Sequence, residues 1–181
     1  MTVMKNLLPT TLLFALIGAG TLSTAAAAAL PEFTHTRAQD WLNTPPLATK
    51  DLVGRVVLVE FWTFDCWNCA RTIPWVASLE KQFGPRGLTV IGVHTPELPQ
   101  EYVLANVQRK VAELGVVHPV MIDNDYSYWN ALHNQYWPAF YLVDRRGQVR
   151  RVHVGETHVG DDAAEQVEHD IEALIAEASG H

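Results

Sequence analysis

Cys66 and Cys69 are the only two cysteines among 181 residues, and they stand as Cys66-Trp67-Asn68-Cys69 between an apolar β-type run and a helical pattern. Two intervening residues on the first turn of a helix bring both sulfurs within disulfide distance, the first facing outward and the second tucked behind it. A pair so placed can open and close repeatedly, which is electron exchange through thiols. Unpaired N–H groups at the helix start favour thiolate over thiol at Cys66, the expected nucleophile. Cys69, one turn further in, would resolve the mixed disulfide and release product. A purely structural bridge over so short a loop would stabilise the fold little, so the pair reads as functional.

Two other chemistries compete for the same residues. A CxxC pair also donates two metal ligands. Here no second CxxC exists, no His follows Cys69 directly, and a CxxxC copper site would need one more residue between the sulfurs. No metal and no cofactor beyond the Cys66–Cys69 disulfide is therefore expected, and lone histidines such as His94 and His118 read as structural or surface residues. The Thr63-x-x-Cys66 spacing is similar to the peroxiredoxin motif, but Val59 stands in its proline position and a peroxidase would not need a partner cysteine across two intervening residues. Thiol peroxidase thus ranks behind disulfide exchange and behind a redox-sensitive binding module or metallochaperone using the same dithiol.

The elements around the pair can be read from periodicity. Val56 to Trp62 (VVLVEFW) is a near-continuous apolar run, as in a central strand covered on both faces, and helical sequence follows from Cys66 to about Phe83, ending at Gly84-Pro85. Leu88 to His94 reads as a second central strand. Glu101 to Leu114 reads as a helix, with Val103, Leu104, Val107, Val111 and Leu114 on one face, ended by Gly115. Strand, helix and strand in that order imply a right-handed crossover and two neighbouring parallel strands. Pro119 to Ile122 reads as a short strand and Tyr126 to His133 as a short aromatic helix. Ala139 to Val143 and Val149 to Val154 flank Asp144-Arg145-Arg146-Gly147 as a hairpin, and Asp162 with Glu165 suggests a capping box opening a last amphipathic helix. Before the first strand, Pro31 to Leu47 is a polar lead-in with a short helix expected near Ala38 to Leu42.

Glu60 is the one interruption in the first central strand, on the face shared with Val56, Leu58 and Trp62. Burial there should raise its pKa and let it take and return the proton of Cys69 as that thiol attacks. Trp62 and Trp75 read as core, and Tyr126, Tyr128, Trp129 and Tyr136 as packing.

Bulk properties narrow the setting. Hydrophobic residues make up 48% of the chain and charged residues 18%, enough for one domain with a substantial core. The net charge is −7, and loss of Lys5 with a leader would make it more acidic still, which excludes ordinary nucleic-acid binding. Lys5, the apolar stretch from Leu7 to Leu22 and the small residues from Ser23 to Ala29 make residues 1–29 a secretory signal, with an uncleaved anchor over residues 7–29 as the alternative. Residues 30–181 would then form one domain in the periplasm or outside the cell.

A βαβ half followed by a hairpin and helix, with CxxC opening the first helix, resembles the thioredoxin fold: an α/β architecture with a central mixed sheet flanked by helices. Glu60, Pro74 and Pro138 match that family's buried acid, helix proline and cis-proline. The stretches FWTFDCWNCARTIP and NQYWPAFYLVDRRG, with the insert from His94 through Asp125, look like the extracytoplasmic TlpA-like branch, and especially the soluble thioredoxin-like portion of DipZ-type proteins. The resemblance spans about Phe33 to Val159. It implies an N-terminal extension and an insert between the βαβ and ββα halves, a cis Pro138 presenting backbone to the substrate, and Glu97 as a second acid near the cysteines, the alternative being a dipole-stabilised acid at a helix start.

The expected activity is exchange of disulfides with protein substrates, with Trp67, Asn68 and Trp137 as the substrate-binding surface and Trp67 and Trp137 as an exposed aromatic platform. Asp65, Asn68, Glu60 and Glu97 offer no fixed positive charge, with only Arg71 to offset them. A weakly stabilised thiolate belongs to a reducing couple, so a reductase is expected. DipZ-type proteins can carry an electron-conducting membrane domain in front, and none is expected here. Its electrons would therefore come from a separate membrane donor, and apocytochrome c is among the clients the resemblance implies. A monomer is expected.

Overall fold

The computed structural model describes residues 28–177. Nearly all of the expected leader lies outside the described residues, and no described helix is long and apolar enough to cross a membrane. Six strands form one mixed sheet: β1 (Trp41–Leu42), β2 (Val56–Trp62), β3 (Leu88–His94), β4 (Val120–Ile122), β5 (Ala139–Val143) and β6 (Val149–Val154), in the order β1-β4-β3-β2-β5-β6. β2 and β3 are parallel neighbours in register Val56↔Leu88 through Trp62↔His94, as the crossover rule requires. β5 and β6 run antiparallel on the other side of β2. The architecture is thioredoxin-like.

Every residue of β2 is buried, which explains the unbroken apolar run: alternate side chains enter cores on opposite faces of the sheet. Val57, Val59 and Phe61 pack with Phe33, Tyr128 and Trp129 on one face. Val56 and Leu58 pack on the other with α1 (Trp67–Phe83) and α4 (Asp162–Ala176). A third cluster joins Trp62, Cys69 and Ile73 to Val107 and Val111 of α2 (Leu104–Glu113).

Three local expectations change. Ala38–Asp40 is a single 3-10 turn, after which Trp41 and Leu42 pair with β4 as an edge strand; the indole of Trp41 is buried and donates to the His35 carbonyl at 2.7 Å. The insert helix begins at Leu104, because Pro99–Tyr102 forms a separate 3-10 turn. The N-cap of α4 is Asp161, whose carboxylate accepts from the Ala164 N–H at 2.7 Å; Asp162 is the first helical residue. The aromatic helix is the short α3 (Ser127–Ala131), locked by Asp123, which accepts from the N–H groups of Tyr128 and Trp129 at 2.9 Å each. In the hairpin, Gly147 takes φ +76, and the Asp144 carboxylate accepts from the N–H groups of Arg146 and Gln148.

Candidate active site

β2 ends at Trp62 and the chain turns through Thr63 to Asp65 into α1, placing both cysteines at the C-terminal end of the central strands. Cys66 is the N-cap of α1: its sulfur accepts from the Cys69 N–H at 3.2 Å, and its carbonyl accepts from the Ala70 N–H. The two residues are disulfide-bonded with Cα atoms 5.3 Å apart, inside the range an unforced bridge needs. Cys66 is partly exposed, whereas Cys69 is fully buried against Trp62 and Ile73. This asymmetry admits a foreign sulfur to one cysteine only.

Trp137, one residue before Pro138, packs in the same cluster as Cys66 and Cys69 from the hairpin side. The Trp137–Pro138 bond is cis, Pro138 is buried, and its carbonyl accepts from the Gly155 N–H at 3.0 Å. Behind it, the loop after β6 is fastened to the first turn of α1. The Thr157 N–H donates to the Thr72 hydroxyl, which itself donates to the Asn68 carbonyl. Arg71 lies over the Trp67 ring, 5.9 Å from its centroid, and pairs with Glu156 at 2.9 Å. Its charge is therefore matched before it reaches the sulfurs.

Trp67 is 72% exposed and stands beside Cys66 as an apolar surface; Asn68 is also exposed. Trp137 departs from expectation. It is half-buried, its ring tilted against Trp129 at 4.1 Å and its indole donating to the Thr95 carbonyl, so it anchors the loop. The exposed aromatic on that side is Tyr136, at 57%, where the sequence pattern predicts packing.

Glu60 is 1% exposed, on the same strand face as Trp62. Burial pushes its carboxyl up to about 7, with His118 holding it down in part and Glu80 pushing it higher. It can thus hold a proton near neutrality. His94 is buried between Trp62 and Phe64 with Nε2 against the Thr63 hydroxyl; burial lowers it to about 4, so the ring stays neutral and structural. The Thr63 hydroxyl is engaged there and is not aimed at Cys66 as a peroxidatic motif would require.

The insert brings the largest revision. Glu97 is exposed, and its own N–H is held by another carboxylate, that of Glu101. Glu101 is completely buried and accepts from the N–H groups of Asp65 (2.9 Å), Glu97 (2.7 Å) and Leu98 (2.6 Å). One carboxylate thus ties the insert to the residue preceding Cys66. Sequence reading missed it because an acid opening an amphipathic helix looks like a surface residue; the proline turn at Pro99 that swings it inward was the available signal. A separate group, His35, Asp123 and Asp125, places potential ligand atoms within 4.8 Å of one another, but Asp123 is already committed to the α3 backbone and Thr95.

Residues 25–171 match the Redoxin family model. The chain belongs to the Redoxin family. Within this family context, the protein is 47% identical over 119 residues to Protein DipZ of Mycobacterium tuberculosis, covering 64% of this chain but only 17% of that protein. It is 29% identical to the thiol-disulfide oxidoreductase YkuV of Bacillus subtilis, covering 70% of this chain and 83% of YkuV. In fold it is similar to a thiol-disulfide isomerase from Corynebacterium glutamicum, with a TM-score of 0.69 and 24% identity over 82% of this chain and 97% of that one. This Redoxin-family protein carries the fold and the paired cysteines of thiol–disulfide oxidoreductases.

Proposed function

We propose that this thiol–disulfide oxidoreductase works outside the cytoplasm as a reductant of protein disulfides, using the Cys66–Cys69 pair as its only redox group. The observation that carries the reading is the asymmetry of the pair: Cys66 is reachable at a helix N-terminus and Cys69 is sealed behind it. In the reduced protein the Cys69 N–H and the α1 dipole would face a Cys66 thiolate, which attacks a substrate disulfide and expels one substrate thiolate. Cys69 then gives its proton to Glu60 and displaces the second substrate sulfur, leaving the protein oxidised. The cis Pro138 loop and Trp67 supply backbone and an apolar face for an extended client segment.

The reducing direction follows from charge. Arg71 is matched by Glu156, and Glu60 and Glu101 are buried acids. The leader-like residues 1–29 support export, and a reductant there needs a separate membrane donor; cysteines of an apocytochrome c are a client class consistent with the DipZ-like resemblance. The reading is tested by insulin-disulfide reduction with dithiothreitol, together with the potential of the pair. Accelerated turnover and a potential below about −180 mV support it. No acceleration, as for an adaptor or metallochaperone, or a potential near that of a strong oxidant, would reject it.

A further inference from the structure

Glu60 must lose the proton it receives, yet it lies in the central strand and is only 1% exposed. Its Oε2 is 3.8 Å from Nε2 of His118, which is itself 3% exposed at the side chain. The opposite ring nitrogen, Nδ1, is 3.2 Å from Oε2 of Glu80, whose side chain is 25% exposed on α1. A carboxylate only accepts, so Nδ1 donates to Glu80; in the neutral ring that leaves Nε2 with a bare lone pair toward Glu60, and in the charged ring Nε2 carries a hydrogen toward it. His118 and Glu80 are the ionisable groups whose charge reaches Glu60.

Gly92 keeps the inner end of this line open. It lies opposite Glu60 in the β2–β3 register, and a Cβ there would sit 2.9 Å from the Trp62 indole nitrogen and 3.2 Å from His118 Nε2. Glu60 Oε1, Trp62 Nε1 and His118 Nε2 are all buried without a hydrogen-bond partner among the described residues. Three unpaired polar atoms grouped in a sheet core are costly unless they serve a purpose. The 3.8 Å gap is one that a bridging water or a small closure spans.

We propose that His118 and Glu80 form the proton route between Glu60 and solvent. As the cysteine pair closes, the thiol proton of Cys69 passes to Glu60, then to Nε2 of His118, while the Nδ1 proton leaves to Glu80 and water. Re-reduction of the pair by a dithiol returns one proton along the same line to the Cys69 thiolate and restores the starting tautomer of His118. One proton leaves and one enters per cycle, and the electrons stay with the sulfurs. His118 and Glu80 are positioning residues, acting through Glu60, and the inference rests on Glu60 as the base for Cys69.

The test mixes the reduced protein with excess dithiobis(nitrobenzoate), whose leaving thiolates stay ionised at neutral pH, in weak buffer, following disulfide closure by tryptophan fluorescence and proton release by a pH-indicator dye. In the unsubstituted protein the two signals coincide. In His118→Gln and Glu80→Gln the dye should lag closure, and steady turnover should fall roughly threefold or more. Glu80→Gln is the decisive variant, because it lies at the surface end and removes a charge that raises the Glu60 pKa; through charge alone it would ease ionisation of Glu60. Signals that stay in step in both variants, whatever their common rate, overturn the route. The parent reading fails differently: an unsubstituted protein that closes no disulfide rejects the proposed function, and Glu60→Gln at the unsubstituted rate rejects Glu60 as base.

Discussion

Glu60 shows how one residue can hold two roles that pull in opposite directions. Its folded-state pKa of about 7 lies above its ordinary 4.5 because burial disfavours the charged form. The folded protein therefore binds more protons than the unfolded chain between those values, and stability is greatest below about 4.5 and declines as pH rises through about 7. Relative to Glu60→Gln, the native protein should lose on the order of 3 kcal/mol across that window, checked by denaturant unfolding of the oxidised form at several pH values. The same variant should slow resolution of the mixed disulfide by about tenfold, read by quenched-flow trapping of the Cys66 adduct. That Glu60 would be buried was legible from an acid standing inside VVLVEFW. Its partners were not, because His118 and Glu80 are 58 and 20 positions away and come to it only through the β2–β3–β4 pairing and the packing of α1.

At the scale of elements, α1 presents the cysteines and the insert steadies the turn before them. Glu101 joins the two through three charge-assisted hydrogen bonds, to the N–H groups of Asp65, Glu97 and Leu98. Glu101→Ala should leave those buried donors unpaired and destabilise the protein by about 3 kcal/mol, measured in urea, with turnover falling as the loop before Cys66 loosens. Asp161→Ala, which removes the cap of α4 and the acceptor of the His158 N–H, should cost about 1 kcal/mol and lower turnover far less than Glu101→Ala. Helix and strand identities were readable because hydrophobic period and glycine–proline breaks agree along β2, α1, β3 and the hairpin. Boundaries shifted where side chains overrode period: Trp41 drew the lead-in into the sheet through its buried indole, and Pro99 split the insert helix.

Across the whole molecule, the sheet places one reactive sulfur at an end rimmed by exposed apolar groups: Trp67 on α1, Tyr136 beside the cis-proline, and Leu98 on the insert, all more than 40% exposed. Such a rim favours extended polypeptide over small disulfides. Trp67→Ala should therefore lower kcat/KM for insulin several-fold while the rate with oxidised glutathione barely changes, a split seen by running both substrates on one preparation. The aromatic rim was only half visible in the sequence. The exposure of Trp67 is as expected, but Trp137 and Tyr136 exchange places, because adjacent aromatics in a loop carry no periodic signal to say which packs on Trp129.

The central claim is that Cys66 exchanges sulfur partners with other proteins and Cys69 releases them. Its most direct measurement incubates the Cys69→Ala protein with a disulfide-bearing polypeptide and resolves the products on a non-reducing gel with mass-spectrometric mapping. A mixed disulfide through Cys66 that accumulates, disappears with dithiothreitol and is absent from the Cys66→Ala, Cys69→Ala double variant is expected. Failure of Cys66 to capture any such polypeptide would contradict it.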